Sequence, residues 1–512
     1  MSWALVAFVG YLVAVAAIGV WSYLRRTRTS ADFFLGERKM GQWVVALSAV
    51  ASGRSAWLVI GLSGMAYSLG LSAVWAAVGY IVVEMFQFVL VGRRLRRYTQ
   101  RRGLLTVPAF VSERLGDRRH ILVWLSALMI VFFFFFYVAG QLVGGAKAFS
   151  QTFQTSSTTG LLLTAAIVVA YTVAGGFVAV SWTDVVQALM MIVALVVLPA
   201  VAVSEAGGLS ALVARLQTME AVKAVKGGHA FIAGAGMLKP FCFGAGFVIG
   251  MIGIGLGSPG NPHILVRYMS VSSPGLLRRC CLIGTIWNVV MAWGAVFAGL
   301  AARYFFAPEA LTTAGRFDRE LGFVLLAGRF LPPVLVGLVM AAIVAAIMST
   351  VDSQLLVISS SITADISARA LGRRADDRRV VMMSRIVIVL VVLGAVLFAW
   401  AARGSSVFDL VLLAWGGLGS AFGPVIVLGL FWRRFTLPAA VTAMLVGPAV
   451  TVPWKLLGFG KTLVYELVPG FGAALAAAVV VSLLTRPPDD VDAHFADMAP
   501  QTSADGDASD ER

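Results

Sequence analysis

Three apolar stretches of this chain carry small polar residues at their midpoints: SAVASGRSAW at 48–57, GIGLGSPGNP at 253–262 and AAIMSTVDSQ at 345–354. Pro259 and Pro262 lack backbone donors, and the neighbouring glycines loosen a helix. Inside a bilayer, irregular backbone is tolerated only where it lines a cavity or is buried in protein. Free backbone groups and hydroxyls at such breaks can hold an ion or a small polar solute near mid-depth. The competing reading is close packing of small residues between helices. For Ser349 and Thr350 it is a back-bond to a carbonyl one turn earlier. Arg54 is the outlier, because an arginine facing lipid costs roughly 2.5–3.5 kcal/mol on insertion scales. It cannot escape by losing its proton.

The elements that must position these residues are membrane-spanning helices. Of 512 residues, 59% are hydrophobic and 13% are charged, about half the charged share of a soluble domain. The mean hydropathy is +0.90, and apolar runs near 20 residues recur along the whole length. The pattern predicts an all-α polytopic membrane protein, and the absence of short alternating strands excludes a β-barrel. About thirteen spans are predicted: 3–23, 44–68, 71–92, 120–148, 159–180, 183–204, 232–257, 278–302, 324–357, 380–401, 407–431, 436–457 and 463–484. The ninth is too long for one straight crossing and is read as a helical approach, then Pro332-Pro333, then the true span.

The net charge of +15 would suggest nucleic acid in a soluble chain. Here the arginines fall in short loops such as RRTR, RRLRRYTQRR, LGRRADDRR and WRR, so they set topology. The arrangement predicts an inner (plasma) membrane protein with its N-terminus outside and its C-terminus in the cytoplasm. The first apolar run is long enough to span and shows no cleavage pattern. Cys242, Cys280 and Cys281 have neither metal-ligand spacing nor a paired framework. No nucleophile–base pair or metal constellation marks an enzyme. The implied partners are a small-molecule solute and membrane lipid, not nucleic acid. Residues 1–485 form the expected transporter domain, and the acidic tail, 486–512, is expected to be disordered.

FFLGERKMGQWVVALSAVASGRSAWLVIGLSG resembles the signature of the sodium/solute symporter family. YTVAGGFVAVSWTDVVQALMMIVAL, NPHILVRYMS, AAIVAAIMSTVDSQLLVISSSITADI and AWGGLGSAFGPVIVLGLFWRR resemble its bacterial sodium/proline branch. The resemblance runs in order from about residue 3 to 485. It implies thirteen helices, with a five-plus-five inverted repeat over about 44–204 and 232–431. It also implies alternating access, with solute and sodium bound near the midplane and no other cofactor. Transport of proline or a related amino or organic acid follows as an expectation. A transport-inactive solute sensor is a lesser alternative, since sensors of this family usually carry a fused kinase domain and only a short acidic tail follows the last expected span.

By the same resemblance, one sodium would lie between spans two and nine. The carbonyls of Ala51, Arg54 and Ala346 and the hydroxyls of Ser349 and Thr350 match its ligands, an oxygen set suited to a hard cation. Some members hold a second sodium with an aspartate on span six, which Asp184 matches, and hydroxyls along span nine. Ser349 and Ser353 share a helix face there, and Asp352 adds an acceptor. The competing reading of Asp184 is a water-exposed helix cap. Ser55, Trp57 and Tyr137 match positions near the solute, whereas on span seven Ile254, Ser258 and Pro259 stand where the proline branch has aromatic residues and Asn261 where it has a glutamine, which reshapes the expected pocket. The other departure is Gly53-Arg54, where the proline branch has Asp-Met. An acid used for sodium is lost and a base gained. Arg54 is therefore expected to reach toward Ser349, Thr350, Asp184 or Asp352 and to replace a sodium wholly or in part. A sodium-independent or proton-coupled carrier is the alternative this creates.

Overall fold

The computed structural model describes residues 3–26, 29–218, 238, 244–306, 318–372, 376–402 and 404–500. These are almost entirely helical. Nine helical stretches among them are long and apolar enough to cross a membrane, and three shorter apolar helices (Trp3–Gly19, Ser157–Val173, Ala245–Gly260) add to them. One stretch, Gln42–Arg101, runs for 60 residues. At 1.5 Å per residue that is roughly 90 Å of helix, far more than one crossing of a ~30 Å core.

The chain starts with α1 (Trp3–Arg26), then α2 (Gln42–Ala56), a widened turn at Trp57–Leu62, and α3 (Ser63–Leu69). It turns at Gly70 (φ 62°) into α4 (Val74–Phe86) and α5 (Gly92–Arg101). Two long helices follow, α6 (Ile121–Phe153) and α7 (Ser157–Glu205). Gly176, at φ 65° and ψ −179°, divides α7. An added Cβ there would lie 2.8 Å from the Phe33 ring, so both the backbone and the space require glycine. The division falls a few residues before the expected boundary between 159–180 and 183–204.

The seventh span differs more. Its described part is α8 (Ala245–Gly253), a tight irregular turn at Ile254–Gly260, and α9 (Pro262–Ser270). The break therefore sits mid-span, not at the end of 232–257, and most of the first half of that range lies outside the described residues. Pro262 is the reason. Proline is favoured at the first position of a helix, so GSPGNP starts a second half-helix. Beyond it come α10 (Leu277–Phe305), α11 (Gly322–Phe330) and α12 (Pro333–Ser360), with the helical approach and proline boundary expected for the ninth region. α13 (Asp377–Ala401), α14 (Val407–Phe431), α15 (Leu437–Leu456) and α16 (Leu467–Leu484) complete the bundle.

Among the described residues, two helical stretches are enclosed on all sides. Every residue is buried from Val44 to Leu69, through α2 and α3, and from Val339 to Ser360 in α12. A helix buried all round belongs at the centre of a large assembly, not at its lipid face. α2 and α12 pack on each other and both contact α7 and α9. The break of span seven lies against α14. There an added Cβ on Gly260 would sit 2.6 Å from Gly419 Cα.

The tail is not wholly disordered. Residues 501–512 lie outside the described ones, but Val491–Met498 form α17. Val491, His494, Phe495 and Met498 are spaced for one apolar face. His494 and Met498 are buried. Tyr98 Oη meets His494 Nδ1 at 2.7 Å, Arg102 Nε donates to Asp497 at 2.7 Å, and Arg101 donates to Ala496 O at 2.7 Å. The Arg433 guanidinium covers the Phe495 ring. Burial holds the His494 imidazole below the usual histidine range. The docked tail therefore binds fewer protons than the free tail.

Two outcomes follow. Met498→Ala removes a buried side chain, worth about 2–5 kcal/mol in well-packed sites, and should lower the melting temperature in detergent. Asp492→Asn alters one exposed ion pair worth about 0–1 kcal/mol and should move it far less. Acidification through the ordinary histidine range, about 6.5, should loosen the docked tail, read as faster proteolysis within residues 488–500.

Candidate functional site between the broken helices

α2 breaks at Ser55, whose φ of 48° and ψ of −173° lie in a region that costs a non-glycine residue roughly 1–3 kcal/mol. The freed amides find partners: Ala56 N donates to Gln141 Oε1 at 2.9 Å and Trp57 N to Ser55 Oγ at 3.1 Å. In span seven, Trp415 Nε1 donates to Ile254 O at 2.8 Å and Gln87 Nε2 to Ser258 O at 3.1 Å. Asn261 Nδ2 turns back to Gly257 O at 2.7 Å. Side chains from span three, α6 and α14 thus hold both breaks open.

Between them lies a small cavity lined by Gly53, Arg54, Trp57, Tyr80, Tyr137, Ile254, Val411, Leu412 and Trp415. Of the expected solute residues, Trp57, Tyr137 and Ile254 line it. Ser55 sits behind, accepting from Tyr137 Oη at 3.5 Å. Ser258 and Asn261 support the break instead. Tyr80, Val411, Leu412 and Trp415 were not singled out from sequence, although Trp415 falls in the quoted AWGGLGS motif. Trp57 Nε1 and Tyr80 Oη are buried without a protein partner. The walls are thus mostly aromatic and aliphatic with a few unspent donors, the make-up of a small-molecule pocket.

Next to the cavity, α2 and α12 bring oxygens together. Ser349 Oγ donates to Ala51 O at 3.2 Å and to Ala346 O at 3.1 Å. Thr350 Oγ1 donates to Ser52 O at 2.9 Å and to Ala346 O at 3.3 Å. The carbonyl that meets Thr350 is that of Ser52, where the sequence pointed to residue 54. Ala51, Ala346, Ser349 and Thr350 are brought together in the expected combination. The back-bonds to Ala346 are also present, so the bland reading of the hydroxyl pair describes only half of their contacts.

Arg54 does not reach this cluster or either aspartate. Its guanidinium pairs with Glu84 on α4, and Nε donates to Asn288 Oδ1 at 2.8 Å. Asn288 Nδ2 closes the ring by donating to Glu84 Oε2 at 2.7 Å. The guanidinium also lies 3.8 Å from the Tyr80 ring centroid, a cation–π contact. This corrects the expectation that Arg54 stands in for a sodium, since a buried cation goes to the nearest buried acid. The same acid accounts for Gly53. A Cβ at 53 would lie 3.4 Å from Glu84 Oε1, so an aspartate there would add a second carboxylate beside the first.

The base near Asp184 is Arg267 of α9, which falls between the seventh and eighth of the expected spans. Its Nη2 donates to Asp184 Oδ2 at 3.3 Å and to Ser353 Oγ. Nε donates to Ser48 Oγ at 3.2 Å. Asp184 also accepts from Ser48 Oγ at 2.6 Å and from Ser52 Oγ at 3.3 Å. Asp184 is fully buried, so it is not a water-exposed cap. Asp352 accepts from Thr172 Oγ1 and lies outside the Arg267 contacts.

This geometry can be set beside known proteins. A family model described as "Sodium:solute symporter family" matches residues 33–447. The chain is 37% identical over 472 residues to the high-affinity proline transporter PutP of Bacillus subtilis, covering 92% of this chain and 96% of the relative. It is 36% identical over 506 residues to the sodium/proline symporter of Escherichia coli, covering 97% of each. Among solved structures, a Na+-coupled sialic acid symporter superposes with a TM-score of 0.79 at 19% identity, over 95% of this chain and 99% of the other. The transporter Mhp1 superposes at 0.54 and 15% identity, over 91% of this chain and 98% of the other. These two likenesses speak to the fold alone. The family match and the curated relatives make this a multi-pass membrane carrier, not an enzyme, with sodium as its coupling ion: the chain belongs to the sodium:solute symporter family.

Proposed function

We propose that this carrier imports proline, or a small amino acid of similar shape, by alternating access. The solute occupies the cavity walled by Trp57, Tyr80, Tyr137, Ile254, Leu412 and Trp415. Sodium takes the oxygens of Ala51, Ala346, Ser349 and Thr350. The observation that carries this is the meeting of Ser349 and Thr350 with the carbonyls of Ala51 and Ser52, next to the break at Ser55 that opens the cavity. A sodium ion there bridges α2 to α12, and the solute cavity shares α2. Filling either site thereby favours the other, which is the linkage a symporter requires.

Proline itself is supported by its transport by the relatives and by the aromatic walls of the cavity, whose chemistry suits a compact, largely apolar ring. Thirteen crossings are supported by the nine long and three shorter apolar helices, with Gln42–Arg101 counted twice. A five-plus-five repeat is supported by the two broken spans, two and seven. A plasma-membrane carrier with an outside N-terminus and a cytoplasmic C-terminus is supported by the arginine-rich loops. The docking of α17 on Arg101, Arg102 and Arg433 agrees, since it gathers the tail and two of those loops on one side. The sodium-independent alternative rested on Arg54, and Arg54 is neutralised by Glu84 away from the oxygen cluster.

Uptake of labelled proline into proteoliposomes should need an inward sodium gradient and fail with potassium. Equal uptake in both salts sinks the reading. Ser349→Ala and Thr350→Ala should each raise the half-activating sodium concentration. Losing one such contact is worth about 1–3 kcal/mol, or roughly 5- to 150-fold.

The Arg54 pair gives a separate expectation. Glu84→Ala strands a buried guanidinium and should destabilise the protein by about 3–5 kcal/mol. Arg54→Met with Glu84→Ala removes both charges and should recover most of the loss, read as melting temperature in detergent. A double variant no better than the single one contradicts the pairing.

A further inference from the structure

The tail helix α17 docks on a cluster of arginines. α5 supplies Arg101 and Arg102, the short helix Val107–Arg114 supplies Arg114, and the turn after α14 supplies Arg433. These are the ends of spans three and eleven and the approach to span four. The neighbouring Arg434 donates to Leu483 O, at the end of α16, at 3.0 Å. Phe431 and Trp432 close α14 with aromatic rings of the kind that sit at a bilayer surface. Residues 485–490 alone separate α16 from α17. The docked tail therefore lies at the level of lipid headgroups.

The tail neutralises these arginines incompletely. Asp492 pairs with Arg433 and Asp497 with Arg102. Glu113 adds a longer contact to Arg102, at 3.8 Å. Asp490 turns instead to His494 Nε2, at 3.1 Å. Arg101 meets the carbonyl of Ala496, a neutral acceptor. Arg114 is fully buried. Its Nε donates to Gly429 O at 3.0 Å, but Nη1 and Nη2 have no hydrogen-bond partner among the described residues. The Phe495 ring of the tail covers it, 5.1 Å from Cζ. A permanent cation with buried, unspent N–H groups is short of an anion. A phosphate presents paired oxygens that match the guanidinium fork.

We propose that Arg101, Arg102, Arg114 and Arg433 form a binding site for the phosphate of an anionic phospholipid, and that α17 holds the same arginines as a tethered competitor. The acids Asp492 and Asp497 take the place of headgroup charge, and Phe495 covers the arginine that lacks an acceptor. The tail competes at an effective concentration set by its short linker. Anionic lipid competes at its density in the leaflet, where each arginine adds to its attraction. The position of the tail therefore follows the share of anionic lipid in the membrane. A zwitterionic headgroup carries its own cation and does not displace it.

The test uses the full chain in nanodiscs of phosphatidylcholine, with phosphatidylglycerol added stepwise at constant pH and salt. Phosphatidylglycerol should speed proteolysis within residues 488–500 by roughly fivefold for each arginine it takes. Inorganic phosphate added to phosphatidylcholine nanodiscs should not. Asp492→Asn with Asp497→Asn frees the arginines without altering them. That variant should be cleaved fast in phosphatidylcholine alone. By native mass spectrometry it should also retain more phosphatidylglycerol than the wild type. Adding Arg101→Gln and Arg433→Gln, both at exposed positions, should remove that gain. Cleavage indifferent to phosphatidylglycerol overturns the proposal, as does equal release by inorganic phosphate. A tail-released variant that retains no more phosphatidylglycerol than the wild type also overturns it. So does a gain that survives loss of the two arginines.

Discussion

The structure depends on the neutralisation of positive charge in the middle of a membrane. Among the buried arginines, Arg54 and Arg267 sit on the two broken spans, and neither can be discharged. Each is met by one acid and a set of neutral oxygens: Glu84 and Asn288 for the first, Asp184, Ser48 and Ser353 for the second. The acids sit on span three and span six, so each pair fastens a broken helix to an unbroken one. A broken helix surrenders backbone hydrogen bonds. In this chain, charge pairs and side-chain amides such as Gln141 and Gln87 replace them.

Much of this was legible in the chain. The small polar midpoints of spans two, seven and nine pointed to the cavity, because no other reading accounts so well for prolines and glycines at that depth. The hydroxyls of Ser349 and Thr350 met carbonyls of span two. Arg267 was missed for a definite reason. GSPGNP looks like the end of a helix, and placing the end there puts VRYMS in a loop. A proline at the first position of a helix gives the opposite sense, and a break at mid-span would have put Arg267 inside the core. Glu84 was passed over because one acid in an apolar run carries no periodic signal. Its meaning depends on Arg54, 30 positions away, and no local pattern joins them. The tail helix was hidden by composition, since one apolar face of four residues is diluted by the acids around it.

The cavity and the oxygen cluster share α2 but use different parts of it. Gly53, Arg54 and Trp57 line the cavity, whereas the carbonyls of Ala51 and Ser52 face α12. A single helix therefore presents its side chains to one site and its backbone to the other. The strained conformation of Ser55 lies within the cavity-lining set, between Arg54 and Trp57, at the point where the helix must pivot if one site is to sense the other.

The ring of Arg54, Glu84 and Asn288 also bears on how such a site is reached by mutation. Starting from an apolar residue at 54 and 84, either charge introduced first would be buried alone, while the two together cancel. An acid at 53 fits beside Arg54 only if Glu84 is absent. These positions are therefore epistatic, and a carrier of this kind moves between the two arrangements only by coupled steps. Surveys that change one residue at a time would find each intermediate unfit and would judge all three positions immutable, although the set can be exchanged as a whole.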